Sequence, residues 1–197
     1  TGFLTRGFEL VNTSRLAGTE ARPVRLTWGV ETYTDEQDGT RDGSDRRQFP
    51  DAEVEYRAAF VQAEVPLGAG FAVIPGVRFD AFEYDADAGF PGRDDDEVTP
   101  RVALGWEPVE DFYVWGEYAQ AFRAPSLTEL YADGVHFVVP LGPGQVVINE
   151  FVPTPDLEPE HAEQFQVGAR WRTEGLFGSD ASLEIDTVAY RNDVDDF

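Results

Sequence analysis

The chain offers few side chains that could ligate a metal or act on a substrate. It has two histidines, His136 and His161, and no cysteine. Zinc–thiolate sites, iron–sulfur clusters, disulfides and thiol nucleophiles are therefore excluded. A neutral imidazole nitrogen is a good ligand for a transition metal. His136 lies in Gly134-Val135-His136-Phe137-Val138-Val139, an apolar setting expected to desolvate the ring and favour its neutral form. Pro140, Gly142, Pro143 and Gly144 follow, as in a shaped or mobile loop. An ordinary loop residue is the competing account of His136, and a surface residue is the expectation for His161. The run Asp94-Asp95-Asp96-Glu97, and Asp85 with Asp87, carry oxygens of the kind calcium uses, but no EF-hand spacing gathers them. A solvated acidic loop is the expectation there. Arg123 is placed to pair with carboxylates such as Glu129 or Glu160. There is no nucleophile–base pair, no glycine-rich phosphate loop and no His-Glu-x-x-His, so the sequence makes no case for an enzyme.

The chain has 197 residues, of which 42% are hydrophobic and 13% aromatic, with a formal net charge of -23. That acidity argues against nucleic acid and against a basic patch docking on anionic lipid. No run approaches the ~18 apolar residues of a transmembrane helix. A membrane-spanning β-strand, however, carries only about ten alternating residues.

The elements that must position these residues read as strands. In 24–34 apolar residues alternate with polar ones, a period of 2 that gives a strand one apolar face. In 164–172, Phe165, Val167, Ala169 and Trp171 oppose Gln164, Gln166, Gly168, Arg170 and Arg172. In 181–189, Leu183, Ile185, Thr187 and Ala189 oppose Ser182, Glu184 and Asp186. Further strands are expected near 3–12, 52–66, 70–85, 97–108 and 111–121. Residues 126–132 read as a short helical turn, with Ser126 three positions before Glu129 as a capping box. Gly68-Ala69 and Glu110-Asp111 mark tight turns, and 36–51, 86–97 and 122–160 are long polar connections. Alternation alone fits a soluble sandwich or lipocalin-like barrel as well as a membrane barrel. In the soluble reading Trp28, Val167, Trp171 and Ile185 are buried. Short turns at one rim and long loops at the other favour the membrane barrel, with Phe71, Trp106, Phe112 and Tyr113 in its interfacial girdle.

Two boxes and their order add a resemblance. Tyr118-Ala119-Gln120-Ala121-Phe122-Arg123-Ala124-Pro125-Ser126-Leu127 is followed by Thr154-Pro155-Asp156-Leu157-Glu158-Pro159-Glu160. Upstream stand Gly76-Val77-Arg78-Phe79-Asp80 and Val98-Thr99-Pro100-Arg101-Val102. This text resembles TonB-dependent outer-membrane receptors across nearly the whole chain. The resemblance implies an all-β, antiparallel transmembrane β-barrel. Residues 1–197 would be a partial barrel domain of about eight strands out of the ~22 of a larger, plugged barrel. The plug, the TonB box and the closing strands would lie outside it.

The boxes are also similar to those of the haem-importing subgroup, in which a loop histidine lies between a Phe-Arg-Ala-Pro box and an Asn-Pro-Asn-Leu box. Thr154 and Asp156 depart from the second box. On this resemblance haem is the transported ligand and His136 a candidate axial ligand of its iron. Phe122, Arg123, Ala124, Pro125, Pro155, Asp156 and Leu157 would shape the loop, with the prolines fixing φ. The implied partners are haem or a haemoprotein, the TonB complex and outer-membrane lipid in a Gram-negative cell. A ferric siderophore is the alternative cargo.

Overall fold

The computed structural model describes residues 2–18, 22–41, 44–45, 48–87, 89–175 and 180–195. Eight long strands form one sheet: β1 (Gly2–Gly18), β2 (Pro23–Asp38), β5 (Ala52–Gly68), β6 (Phe71–Ala86), β7 (Arg93–Val109), β8 (Phe112–Arg123), β11 (Glu160–Glu174) and β12 (Ser182–Asp195). Each pairs antiparallel with its neighbour along the chain, so the sheet is a meander. Between β2 and β5 lies the short hairpin β3 (Thr40–Arg41) and β4 (Ser44–Asp45). Between β8 and β11 lie the helix α1 (Leu127–Tyr131) and a second hairpin, β9 (Gly134–Gly142) and β10 (Gln145–Phe151).

The alternation in the sequence becomes two chemically distinct faces. Leu10, Val30, Ala59, Phe79 and Val98 are register partners across five strands. Val102, Tyr118 and Phe165 form a second such row. The large apolar residues of this face are exposed, with Val98 at 55% and Val167 at 54%. The opposite face is polar and cross-linked. Arg78 reaches Glu31 and Asp80, each at 2.8 Å, and Arg101 reaches Glu117 at 2.6 Å. Gln166 donates to Glu117 at 3.2 Å. An apolar exterior over a polar, hydrogen-bonded interior is the pattern of a transmembrane barrel wall, the inverse of a soluble sandwich. The soluble reading required Trp28, Val167, Trp171 and Ile185 to be buried; all four are exposed on the apolar face.

The expected tight turns are present. Gly68 and Gly70 have φ of 90° and 82°, and Ala69 and Asp111 also lie at positive φ. Glycine is required at 70, where a Cβ would meet the Glu107 carbonyl oxygen at 2.2 Å. Phe71 and Trp106 stack at 5.3 Å beside this turn. Tyr113, expected in the same girdle, turns to the polar face instead. Its hydroxyl overlies Gly105, where a Cβ would meet it at 2.1 Å.

At the opposite rim the strands run further than expected. The segment 86–97 is strand from Arg93 onward, and Asp94–Glu97 pair with β6 rather than forming a loop. Where a strand leaves the lipid both faces are wet, so the period-2 signal disappears while the backbone ladder continues.

Candidate functional site

Helix α1 closes the mouth of the sheet at the long-loop end. Ser126 caps it, and the reciprocal bonds between Ser126 and Glu129 complete the capping box. Leu127, Leu130 and Tyr131 are buried against Phe82 and Tyr84 of β6, with Phe122 and Leu157 packed alongside. Phe122 stacks on Phe82 at 5.9 Å. Thr128 donates to Gln37 at 3.2 Å, and Gln37, itself buried, donates to the Pro50 carbonyl at 2.8 Å. The helix thus rests on β2, β5 and β6 together, over a cavity of about 360 Å³ walled by Tyr33, Tyr56, Phe82 and Tyr84.

Arg123 ends β8 and pairs with both carboxylates marked for it. It donates to Glu129 at 2.9 and 3.1 Å and to Glu160 across the β8–β11 register. These hydrogen bonds from the guanidinium, with smaller help from Ser126, hold the Glu129 carboxyl down at about 2, against an ordinary value of 4.5.

One cross-strand pair holds both boxes. Tyr84 and Arg93 are register partners on β6 and β7. The Tyr84 hydroxyl donates to the Pro125 carbonyl at 2.8 Å, fixing the first box. Arg93 donates to the carbonyls of Pro155, at 3.4 Å, and Leu157, fixing the second. Asp95 orients the guanidinium at 2.6 Å. The Thr154 amide donates to Leu130 at 2.9 Å, so the second box is also bonded to the end of α1. Asp156 is exposed between these anchors.

His136 stands on the β9–β10 hairpin between the boxes. Phe137 pairs with Asn149 and Val135 with Glu150, so His136 is the extra residue of a β-bulge. Its Nδ1 lies 3.2 Å from Asn149 Oδ1. Its ring sits 4.5 Å from Phe151 and 5.0 Å from Phe137. The desolvation expected from its neighbours does not occur, because His136 is exposed, as are Val135, Phe137, Val138 and Val139. The hairpin shows aliphatic and aromatic surface on both faces, adding Leu141, Val146, Val147 and Ile148. His161 opens β11, half-exposed, with Nε2 2.9 Å from Glu97 Oε1.

The sequence marked the two boxes, Arg123 and His136, but gave no sign of Arg93, Tyr84, Gln37 or Asn149. The Arg93 and Tyr84 bonds join residues 41 to 64 positions apart, through carbonyls that every residue type carries.

Three comparisons bear on this arrangement. The family model for the TonB dependent receptor-like β-barrel matches residues 1–197. A hemin receptor of Yersinia pestis is 31% identical over 194 residues, 98% of this chain and 28% of that protein. A heme/hemopexin utilization protein C of Haemophilus influenzae (strain ATCC 51907 / DSM 11121 / KW20 / Rd) is 32% identical over 205 residues, 100% of this chain and 27% of that protein. The chain therefore spans little more than a quarter of the curated relatives it matches. Among solved structures, the Serratia marcescens hemophore receptor HasR, as a double mutant with its hemophore HasA and heme, superposes with a TM-score of 0.84. It does so at 18% identity, over 99% of this chain and 33% of that one. The copper transporter OprC gives 0.70 at 19% identity, over 99% of this chain and 30% of that one. At these identities the structural likeness is one of fold.

Proposed function

Because the chain belongs to the TonB-dependent receptor β-barrel family, we propose that it is part of an outer-membrane receptor that takes up haem. Relatives of this family are receptors and transporters, not enzymes. On this reading the strands belong to a larger barrel around a plug, residues 1–197 being one stretch of its wall. The long-loop rim faces outward, and uptake is energised through TonB.

The observation that carries the haem reading is the setting of His136. An imidazole that ligates iron commonly donates its other ring N–H to an oxygen, which fixes the tautomer and leaves the ligating nitrogen unprotonated. Asn149 Oδ1 offers that acceptor to Nδ1, so Nε2 is the nitrogen available to iron. Phe137 and Phe151 flank the ring, and the apolar hairpin supplies surface for a flat, greasy macrocycle. The two matched haem-related relatives support the same cargo. Phe122, Ala124, Pro125, Pro155 and Leu157 serve as anchors, through Tyr84, Arg93 and the mouth core, that set where the hairpin stands. Arg123 ties α1 to β11.

The test is growth on a single iron source. A strain relying on the full-length receptor for iron is expected to grow on haem and not on a ferric siderophore. Growth on the siderophore alone would assign the receptor the other cargo.

A further inference from the structure

An axial imidazole holds iron with a strength set partly by what its other ring nitrogen meets. A carboxylate facing Nδ1 draws that proton toward itself and makes the ring a stronger electron donor to the metal. An amide oxygen accepts the same proton more weakly, because it carries no net charge. Carboxylates are abundant in this chain, with 38 Asp and Glu against 15 Lys and Arg. The side chain facing His136 Nδ1 is nevertheless that of Asn149, with Oδ1 at 3.2 Å.

The β-bulge makes that choice of partner. In β10 a carboxylate, Glu150, directly follows Asn149. Phe137 pairs with Asn149, so an unbroken antiparallel register would set His136 opposite Glu150, on the same face. Instead Val135 takes Glu150, and His136 becomes the extra residue. Successive side chains of a strand point to opposite faces, so Asn149 and Phe151 share one face of β10 and Glu150 takes the other. The Phe151 ring, 4.5 Å from the imidazole, marks the first of these as the face of His136. One inserted residue has thus exchanged a carboxylate partner for an amide.

We propose that Asn149 keeps the bond between His136 and haem iron weak enough for the cargo to leave again, so that the hairpin captures haem and passes it on. The proposal rests on the haem reading of His136. Asn149 is a positioning residue that acts through the imidazole: it fixes the tautomer and limits how strongly Nε2 donates. A receptor that feeds a transport step must release what it binds, and a carboxylate at this position would prolong the stay of haem on the loop.

The test uses full-length receptor loaded with ferric haem. Transfer of haem to an excess of apomyoglobin is followed through the Soret band, and the ferric/ferrous midpoint potential is measured alongside. Asn149→Asp, nearly identical in shape, is expected to slow release about tenfold. It is also expected to lower the midpoint potential, because a stronger donor stabilises ferric iron. Asn149→Leu removes the acceptor and is expected to speed release about tenfold. Glu150→Gln removes a charge from the opposite face of the same strand and is expected to leave rate and potential as in wild type. Heat-modifiable electrophoretic mobility checks that each variant is a folded barrel. Release and potential of Asn149→Asp equal to wild type overturn the role of Asn149, as does a response to Glu150→Gln of the same size. His136→Ala, run in parallel, separates the two levels. Wild-type release from that variant overturns the haem reading of His136 itself. Rapid release from it, with no response to Asn149→Asp, overturns the role of Asn149 alone.

Discussion

Glu129 sits at the junction of three structural roles: N-terminal capping box, partner of Arg123, and link through Arg123 to Glu160. Its folded-state carboxyl titrates at about 2, below the ordinary 4.5. A depressed carboxyl stabilises the fold fully above the unfolded value and loses that contribution as pH falls through the folded one. The hold on α1 is therefore expected to weaken between pH 4.5 and pH 2. Pepsin, active across this window, should cut the full-length receptor near Leu127–Tyr131 increasingly as pH drops. Glu129→Gln should be cut readily across the same window. Sequence spacing disclosed this junction, because Ser126, Glu129 and Arg123 are close along the chain and their chemistry is local. Asn149 was hidden, because only the bulge at His136 brings it to the ring.

Among the elements, the anchoring of the loop was least legible. Strands β2, β11 and β12 follow from period-2 alternation and α1 from a capping box, while the other five long strands were expected from less regular stretches. The β9–β10 hairpin does not follow from either, because Val135, Phe137, Val138 and Val139 do not alternate regularly with polar residues and the hairpin has no buried face to impose such a pattern. Likewise, Arg93 falls within the segment 86–97 expected as a polar connection, yet it is the strand residue that holds the second box. A hydrogen bond to a charged donor is worth roughly 1.5–3 kcal/mol. Arg93→Ala is accordingly expected to speed hydrogen exchange at Thr154 and Leu157, whose amides donate to Leu130 and Thr154. Exchange in β6 and β7 around Val77 and Pro100 should be unchanged. Protection at 154–157 equal to wild type would show that the box is held without Arg93.

For the whole molecule, the sequence left open which face meets lipid, because alternation has the same period in a soluble sandwich. Exposure decides it: Val167 is 54% exposed on the apolar face, while the next residue, Gly168, is buried beneath Trp115 on the other. A charge on the lipid face near the midplane costs about 2–4 kcal/mol, whereas the interior tolerates it. Val167→Arg should therefore lower the denaturant midpoint of the lipid-reconstituted receptor substantially more than Gln166→Arg, which projects among Glu117 and its neighbours. Equal effects would contradict the assignment of faces.

The central claim, that the bulge histidine between the two boxes captures haem, is tested most directly by titrating haem into full-length wild-type and His136→Ala receptors and following the Soret band. The variant is expected to fold and to show a shifted or lost Soret band, with affinity lower by roughly tenfold or more. A Soret band and affinity indistinguishable from wild type would contradict it.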